Sequence, residues 1–296
     1  PTIHAVLDRG GTPVVCSHLG DPGAGGQGRT REQIYQDFSL RPIADVLAAE
    51  FPGRLKFHET SIATSGLLVS RDELVAGHVN LLENLRFASG EKENDDGFAR
   101  SLAGLSDGWF VNDAFNVCHR RHASITGVPG FCDHRLAGPL VALELDYLRR
   151  VLEDPPRPFV AILGGTRVSS QMGLLESLLL RVDAVVLGGI VANCFLRARG
   201  DEVGRSRVDA AAVEPAGFLL SRHGARLVLP DDFTVLLPDG TLRTGATRIP
   251  PDGRAIDVGP ATIAAMDARV AAAQTVLWSG PVGVIESDDG VDGTRA

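Results

Sequence analysis

At 296 residues the chain has room for about two domains of ordinary size. Charged residues make up 22% and hydrophobic residues 44%, globular proportions that exclude collagen, coiled coil and wholesale disorder. A formal charge of −8 argues for solubility and against non-specific affinity for nucleic acid or an anionic membrane.

In chain order, Pro1 to Gly11 reads as a short amphipathic helix carried by Ile3, Val6 and Leu7 and ended by glycine, with nothing before it to pack against. β-Branched runs then alternate with helical patterns. Strands are expected at Pro13–Ser17, Val79–Leu82, Trp109–Val111, Phe159–Leu163, Ala184–Leu187, Arg226–Leu229 and Thr275–Trp278. Helices are expected at Pro42–Glu50, Asp95–Leu102, Leu140–Leu152, Met172–Leu180, Ala210–Arg222 and Ala261–Ala273. Nearly continuous apolar strands alternating with helices imply parallel sheets covered on both faces, an α/β chain of two doubly wound, Rossmann-like domains. The proline-rich stop at 153–158 marks the boundary between them. Both ends of the chain read as cut, the second just after a Gly/Asp-rich loop.

Cys16, Cys118, Cys132 and Cys194 are widely spaced, with no CxxC pair, and read as reduced core residues of a cytoplasmic protein. The apolar stretch Ala184–Leu196 is too short to span a membrane and contains Asn193. Cys118, His119 and His122 have no second ligand cluster of matching spacing, so no metal site is expected. Lys56 and Lys92 are the only lysines, so no ammonium side chain follows residue 92.

Glycine-bearing turns end three of the expected strands. Gly164-Gly165-Thr-Arg-Val-Ser-Ser follows Phe159–Leu163, Gly188-Gly189 follows Ala184–Leu187, and Trp278-Ser-Gly-Pro-Val-Gly-Val-Ile-Glu286 ends the last. Turns of this kind let backbone N–H groups approach a phosphate, and three opening on one crevice imply a nucleotide site. It is not a Walker loop, since GxxxxGK[ST] is absent. The glycine run at 23–28 formally satisfies GxGxxG, but no strand leads straight into it, and it reads as a surface loop.

Cationic and imidazole groups follow the strands of the first half. His18 follows Pro13–Ser17, Arg86 follows Val79–Leu82, and His119, Arg120, Arg121 and His122 follow the strand at Trp109. Gathered at neighbouring strand ends they would form a positive bowl for a small phosphorylated or carboxylated anion. Asn112-Asp113 could cap the following segment or orient an imidazole, and capping is the simpler reading.

Five blocks carry a family resemblance: Ser17-His-Leu-Gly-Asp-Pro22, Leu82-Glu-Asn-Leu-Arg-Phe87, Val111 to Ser124, Arg157 to Gly165 and Trp278 to Glu286. Their order and spacing across nearly the whole chain resemble phosphoglycerate kinase. The resemblance implies two Rossmann-like domains facing a cleft: 1–140 binding 3-phosphoglycerate, 141–157 as connecting helix and linker, and 158–296 binding the nucleotide and incomplete at its C-terminal end. It implies a monomeric kinase of glycolysis that moves a phosphoryl group between ATP/ADP, with Mg2+, and a carboxylate. By motif, His18, Leu19, Gly20, Arg86 and Arg120 would contact the acid. Gly164, Gly165, Gly188 and Gly189 would line the nucleotide pocket, Pro281 and Val284 would flank base or sugar, and Glu286 would accept from ribose hydroxyls.

Several positions depart from the family pattern. Asp21 stands for the arginine of HLGRP, replacing attraction for a phosphate by repulsion. The lysines of GGxKxxxK are Arg167, which keeps its charge as a catalytic candidate, and Gln171, which loses it. Ile190 replaces the third glycine of a GGG turn and would crowd an adenine, and Ser279 replaces an asparagine. The family's first strand and its glycine-rich loop with a metal-associated aspartate have no counterpart. These departures leave two alternatives: a relative that activates a different carboxylic acid with ATP, and a catalytically silent homologue that binds a nucleotide or a partner.

Overall fold

The structure, a computed structural model, describes residues 1–25 and 28–296. The GxGxxG run at 23–28 includes residues 26 and 27 and so lies outside the described residues. The chain forms two compact units, Pro1–Leu148 and Arg149–Ala296. The division falls inside the helix Pro139–Glu153. The proline-rich stretch after that helix belongs to the second unit, where Thr275 Oγ1 donates to the Pro156 carbonyl at 2.9 Å.

In the first unit, Val79–Leu82 is the middle strand of a three-stranded parallel sheet between Val14–Val15 and Leu55–His58. All four of its residues are buried, which is why the run is apolar at both parities apart from Asn80. Asn80 is satisfied in place: its amide donates to the Val75 and His78 carbonyls, and its oxygen accepts from Val75 N and His58 Nε2. The N-terminal helix Thr2–Leu7 packs against later parts of the chain, where Leu7 and Ile3 meet Phe51 and Val79. Trp109–Asn112 forms its own two-stranded parallel sheet with His134–Ala137, so it is hydrogen-bonded outside the three-stranded sheet.

Asp113 fixes the start of the long helix. Its Oδ1 accepts from Leu140 N at 2.8 Å and Val141 N at 3.2 Å, two of the first-turn donors that a helix leaves unpaired, and Thr2 Oγ1 donates to its other oxygen. Asn112 caps locally, accepting from Ala114 N at 3.0 Å.

The second unit is built on a four-stranded parallel sheet ordered Leu227–Val228, Ala184–Leu187, Phe159–Leu163, Thr275–Ser279. Successive residues of Phe159–Leu163 face opposite ways. Phe159, Ala161 and Leu163 pack under Leu175, Val191 and Phe195, while Val160 and Ile162 meet Met266 and Val282. Each fully buried leucine or phenylalanine here contributes about 1.5–3 kcal/mol of transfer free energy. Helices therefore cover both faces of a parallel sheet, and the fold class is α/β with parallel sheets in two units.

A three-stranded antiparallel sheet, with Phe233–Leu236 between Leu242–Ala246 and Arg254–Val258, was not anticipated from the apolar pattern. Its outer strand Leu242–Ala246 is largely exposed and carries no hydrophobic alternation. The four cysteines are all free, but only Cys132 and Cys194 lie in the core; Cys16, just after the strand Val14–Val15, and Cys118, in a turn, are exposed.

Removal of the Asp113 carboxylate strips the cap from the long helix. Asp113→Ala is expected to cost about 1 kcal/mol and lower Tm by about 2–4 °C in thermal unfolding followed by circular dichroism, with Asp113→Asn milder. An unchanged Tm in Asp113→Ala would show that the cap carries no weight.

Candidate functional site

In the first unit the site is assembled around Asn84. Its amide donates to the Leu19 and Phe38 carbonyls, both at 2.8 Å, and its oxygen accepts from Arg86 N at 3.0 Å. One buried side chain thus ties the His18-Leu19-Gly20 loop to the turn that carries Arg86. Arg86 Nη1 then donates to the Gly20 carbonyl at 2.6 Å. Gly20 has a φ of +59°, and a Cβ there would press into the Phe38 ring, so the loop needs glycine on both counts.

Around that loop the charges converge. His18 is pushed below its usual value by burial first, then by the positive fields of Arg86, His122 and Arg120. Burial also lowers His122; Glu91 opposes this, while Arg86, Arg120 and Lys92 add to it. Arg86 is lowered by burial, Asp21 opposing and Arg120 adding. The structure therefore brings His18, Arg86 and Arg120 within electrostatic reach of one another, with His122 as a fourth member. Arg86 Nε is buried and has no hydrogen-bond partner. A buried donor left unmade costs free energy that an anion would return.

Two neighbours qualify the expected picture. Asp21 does not face the bowl as a bare negative charge: its Oδ2 accepts from Lys92 Nζ at 2.7 Å. Glu91 is buried behind the cluster, accepting from Ser124 Oγ at 2.6 Å and Ser124 N at 3.0 Å, with His122 Nδ1 3.7 Å away. Sequence reasoning passed over Asn84, Glu91 and Lys92. Glu91 and Lys92 share the short helix Ser89–Glu93, where alternating charges read as a solvated surface. His119 and Arg121 are exposed.

In the second unit the glycine turns lock together. Gly164 N donates to the Ser279 carbonyl (2.9 Å), Gly165 N to Pro281 (2.8 Å), Gly188 N to Leu163 (2.9 Å) and Gly189 N to Val282 (2.7 Å). A Cβ on Gly164 would overlap the Pro281 carbonyl, and one on Gly188 would overlap the Val282 side chain. These N–H groups are thus engaged by neighbouring strand ends. The expectation that they would cradle a phosphate is corrected: here the glycines permit close approach of three turns.

Beside the turns lies a cavity of about 310 Å³. Gly165, Gly189, Pro281, Val284 and Glu286 line it, as does Ile190, while Gly164 and Gly188 are buried outside the lining. Arg167 is exposed just ahead of the helix Val168–Leu179 and does not line the cavity. Gln171, in the first turn of that helix, is also absent from the lining, and its side-chain oxygen is buried without a hydrogen-bond partner. Arg207 and Arg254 line the far wall and were missed, because they come from a loop and from the unanticipated antiparallel sheet.

Comparison with known proteins adds an independent line. A family model described as phosphoglycerate kinase matches residues 1–296. The phosphoglycerate kinase of Salinibacter ruber is 40% identical over 299 residues, covering 100% of this chain and 73% of that protein. The one from Roseiflexus castenholzii is 40% identical over 308 residues, covering 100% of this chain and 74% of that protein. Among solved structures, phosphoglycerate kinase from Coxiella burnetii superposes with a TM-score of 0.79 at 34% identity, covering 100% of this chain and 74% of that one. The Pyrococcus horikoshii enzyme superposes with a TM-score of 0.82 at 25% identity, covering 100% of this chain and 75% of that one.

The electrostatics of the bowl have a direct readout. A folded-state value below the usual one means His18 gains its proton only at lower pH, and a bound anion must raise that value by offsetting Arg86 and Arg120. In an NMR pH titration the His18 ring should titrate below 6.5 and move upward when sulfate, which does not titrate in this range, is added. Titration at or above 6.5, unmoved by sulfate, would remove the anion-site interpretation.

Proposed function

The chain belongs to the phosphoglycerate kinase family, and from that premise we propose that it transfers a phosphoryl group between ATP and the carboxylate of 3-phosphoglycerate, in either direction. One observation within the structure carries the reading furthest: the partnerless, buried Nε of Arg86 among like charges, which calls for an anionic ligand.

In this reading the first unit holds the acid. His18, neutral near pH 7 because its proton affinity is depressed, donates one hydrogen bond without adding a full charge, while Arg86 and Arg120 supply the charge. Leu19 and Gly20 shape the loop. The second unit holds the nucleotide. Pro281 and Val284 flank base or sugar, Glu286 accepts from ribose hydroxyls, and the turns at Gly164, Gly165, Gly188 and Gly189 set the strand ends beside the helix Gly189–Arg199.

The chemistry asks little covalent work of the protein. A carboxylate oxygen attacks the γ-phosphorus, the bond from that phosphorus to the β–γ bridging oxygen breaks, and ADP leaves with the electron pair. No proton need move, since both the attacking and the leaving oxygen are anionic. What must be supplied is neutralisation of the migrating phosphoryl oxygens. Arg167 is the candidate for that task, as a planar fork in place of a mobile ammonium, and the uncharged Gln171 contributes a dipole only.

Mg2+ would enter on the nucleotide: among the described residues no group of three His, Cys, Asp or Glu is placed to hold a metal ion, and magnesium at such sites is held mainly by phosphates and water. Asp21, paired with Lys92, narrows the rim of the bowl and draws a cation away from the acid. We place the reaction in the cytoplasm, on a monomer; the free cysteines fit a reducing compartment.

A coupled assay with 3-phosphoglycerate and MgATP should register turnover, and Arg167→Ala should lower kcat by about 10²–10³ while changing KM for the acid only a few-fold. Absence of turnover, alongside intact binding of both substrates, would make the chain a silent relative.

A further inference from the structure

The helix Val168–Leu179 begins without a cap of its own. The residue ahead of its first turn is Arg167, whose side chain makes no capping bond. Serine, threonine, aspartate or asparagine at that position would accept from the second or third N–H of the helix. The acceptor comes instead from 40 residues further along the chain. Asp209 Oδ2 accepts from Ser169 N at 3.1 Å, and Ser169 Oγ donates to the same oxygen. Ser169 carries the second N–H of the helix, the donor a local cap would take. The other oxygen, Asp209 Oδ1, accepts from Ala211 N at 3.2 Å, the second N–H of the helix Ala210–His223. One carboxylate thus closes two helix starts.

Asp209 is itself anchored. Its N–H donates to Cys194 Sγ at 3.3 Å, and that thiol donates to the Asp209 carbonyl at 3.7 Å. Cys194 is buried in the helix Gly189–Arg199, where Asn193 Nδ2 donates to the Arg207 carbonyl at 3.0 Å. The loop ahead of Asp209 is therefore fixed to a helix of the core. The Ser169 bonds hold the Asp209 carboxyl below the usual carboxylate range, so near neutral pH an anion faces the positive ends of two helices.

What this fixes is the place of Arg167. Its carbonyl accepts from Ser170 Oγ at 3.0 Å, which ties its backbone to the first turn. Its guanidinium makes no hydrogen bond or ion pair among the described residues, so its reach is set by the helix start. A cation that neutralises a migrating phosphoryl group must stand in place before transfer, and a shift of about 1 Å can cost ~10² in rate. We propose that Asp209 is a positioning residue for phosphoryl transfer, closing the start of Val168–Leu179 from outside and so placing Arg167, a role that rests on the phosphotransferase reading and on the task given there to Arg167.

Steady-state kinetics with 3-phosphoglycerate and MgATP test it on Asp209→Ala, Asp209→Asn and Ser169→Ala, each alone and combined with Arg167→Ala. Asp209→Ala should lower kcat about tenfold and leave KM for the acid within about twofold of wild type. Asp209→Asn keeps an acceptor for Ser169 N and should recover most of the loss. In the Arg167→Ala background neither Asp209 variant should slow turnover further, because the two residues act as a unit. Ser169→Ala, at an exposed site, leaves the cap of Ala210–His223 intact and should show the same pattern more weakly, which keeps the test decisive if Asp209→Ala fails to fold. An unchanged kcat in Asp209→Ala, or an equal fall with and without Arg167, overturns the proposal and leaves the kinase reading standing. Turnover that Arg167→Ala does not slow removes the task of Arg167 and the inference with it. No turnover from the wild type removes the kinase reading and the inference together.

Discussion

Positive charge crowded into a small, partly buried volume is tolerable only if a counter-charge arrives, and the surroundings of His18 concentrate that demand. Burial depresses the imidazole most, Arg86, His122 and Arg120 depress it further, and one guanidinium N–H of Arg86 is buried without a hydrogen-bond partner. The protein spends structure to hold this arrangement. Asn84 binds the loop and the turn to each other with three hydrogen bonds, and the Gly20 carbonyl pins the Arg86 fork. Glu91 is buried beside the cluster, and its oxygens are already committed to Ser124. The field left over points to an external anion.

The second unit answers a different constraint. Three parallel strands must end close enough together to form one wall, and only residues without a Cβ allow their turns to touch. Gly164, Gly165, Gly188 and Gly189 donate their N–H groups to the Ser279, Pro281, Leu163 and Val282 carbonyls, so backbone hydrogen bonds within the protein tie the turns together. Preorganisation of this kind lowers the ordering cost of binding. The cations near the cavity are then left to the helix start and to side chains, namely Arg167, Arg207 and Arg254, all arginines in a chain without lysine beyond Lys92.

Much of this could be read before any coordinates, for identifiable reasons. Val79–Leu82, Phe159–Leu163 and Ala184–Leu187 are buried on both faces, so their apolar runs announce them. Leu55–His58 was obscured by Lys56 and His58, the latter buried yet satisfied by Asn80. The antiparallel sheet hid behind its exposed strand Leu242–Ala246; the one available signal was the Pro238-Asp239-Gly240 turn, where Gly240 has a φ of +84°. His18, Arg86 and Arg120 were legible from their positions after strands. What was not legible was company: that Lys92 folds onto Asp21, that Glu91 turns inward, and that Arg207 and Arg254 meet one cavity from distant stretches of chain.

The bowl demands an anion and obtains it through Arg86. Calorimetric titration of 3-phosphoglycerate into the intact chain and into Arg86→Gln measures this without requiring turnover. A saturable site in the wild type, weakened about tenfold or more in the variant as a charge-assisted pair is lost, is the predicted result. Equal affinity in both proteins, or no binding to the wild type, would contradict it.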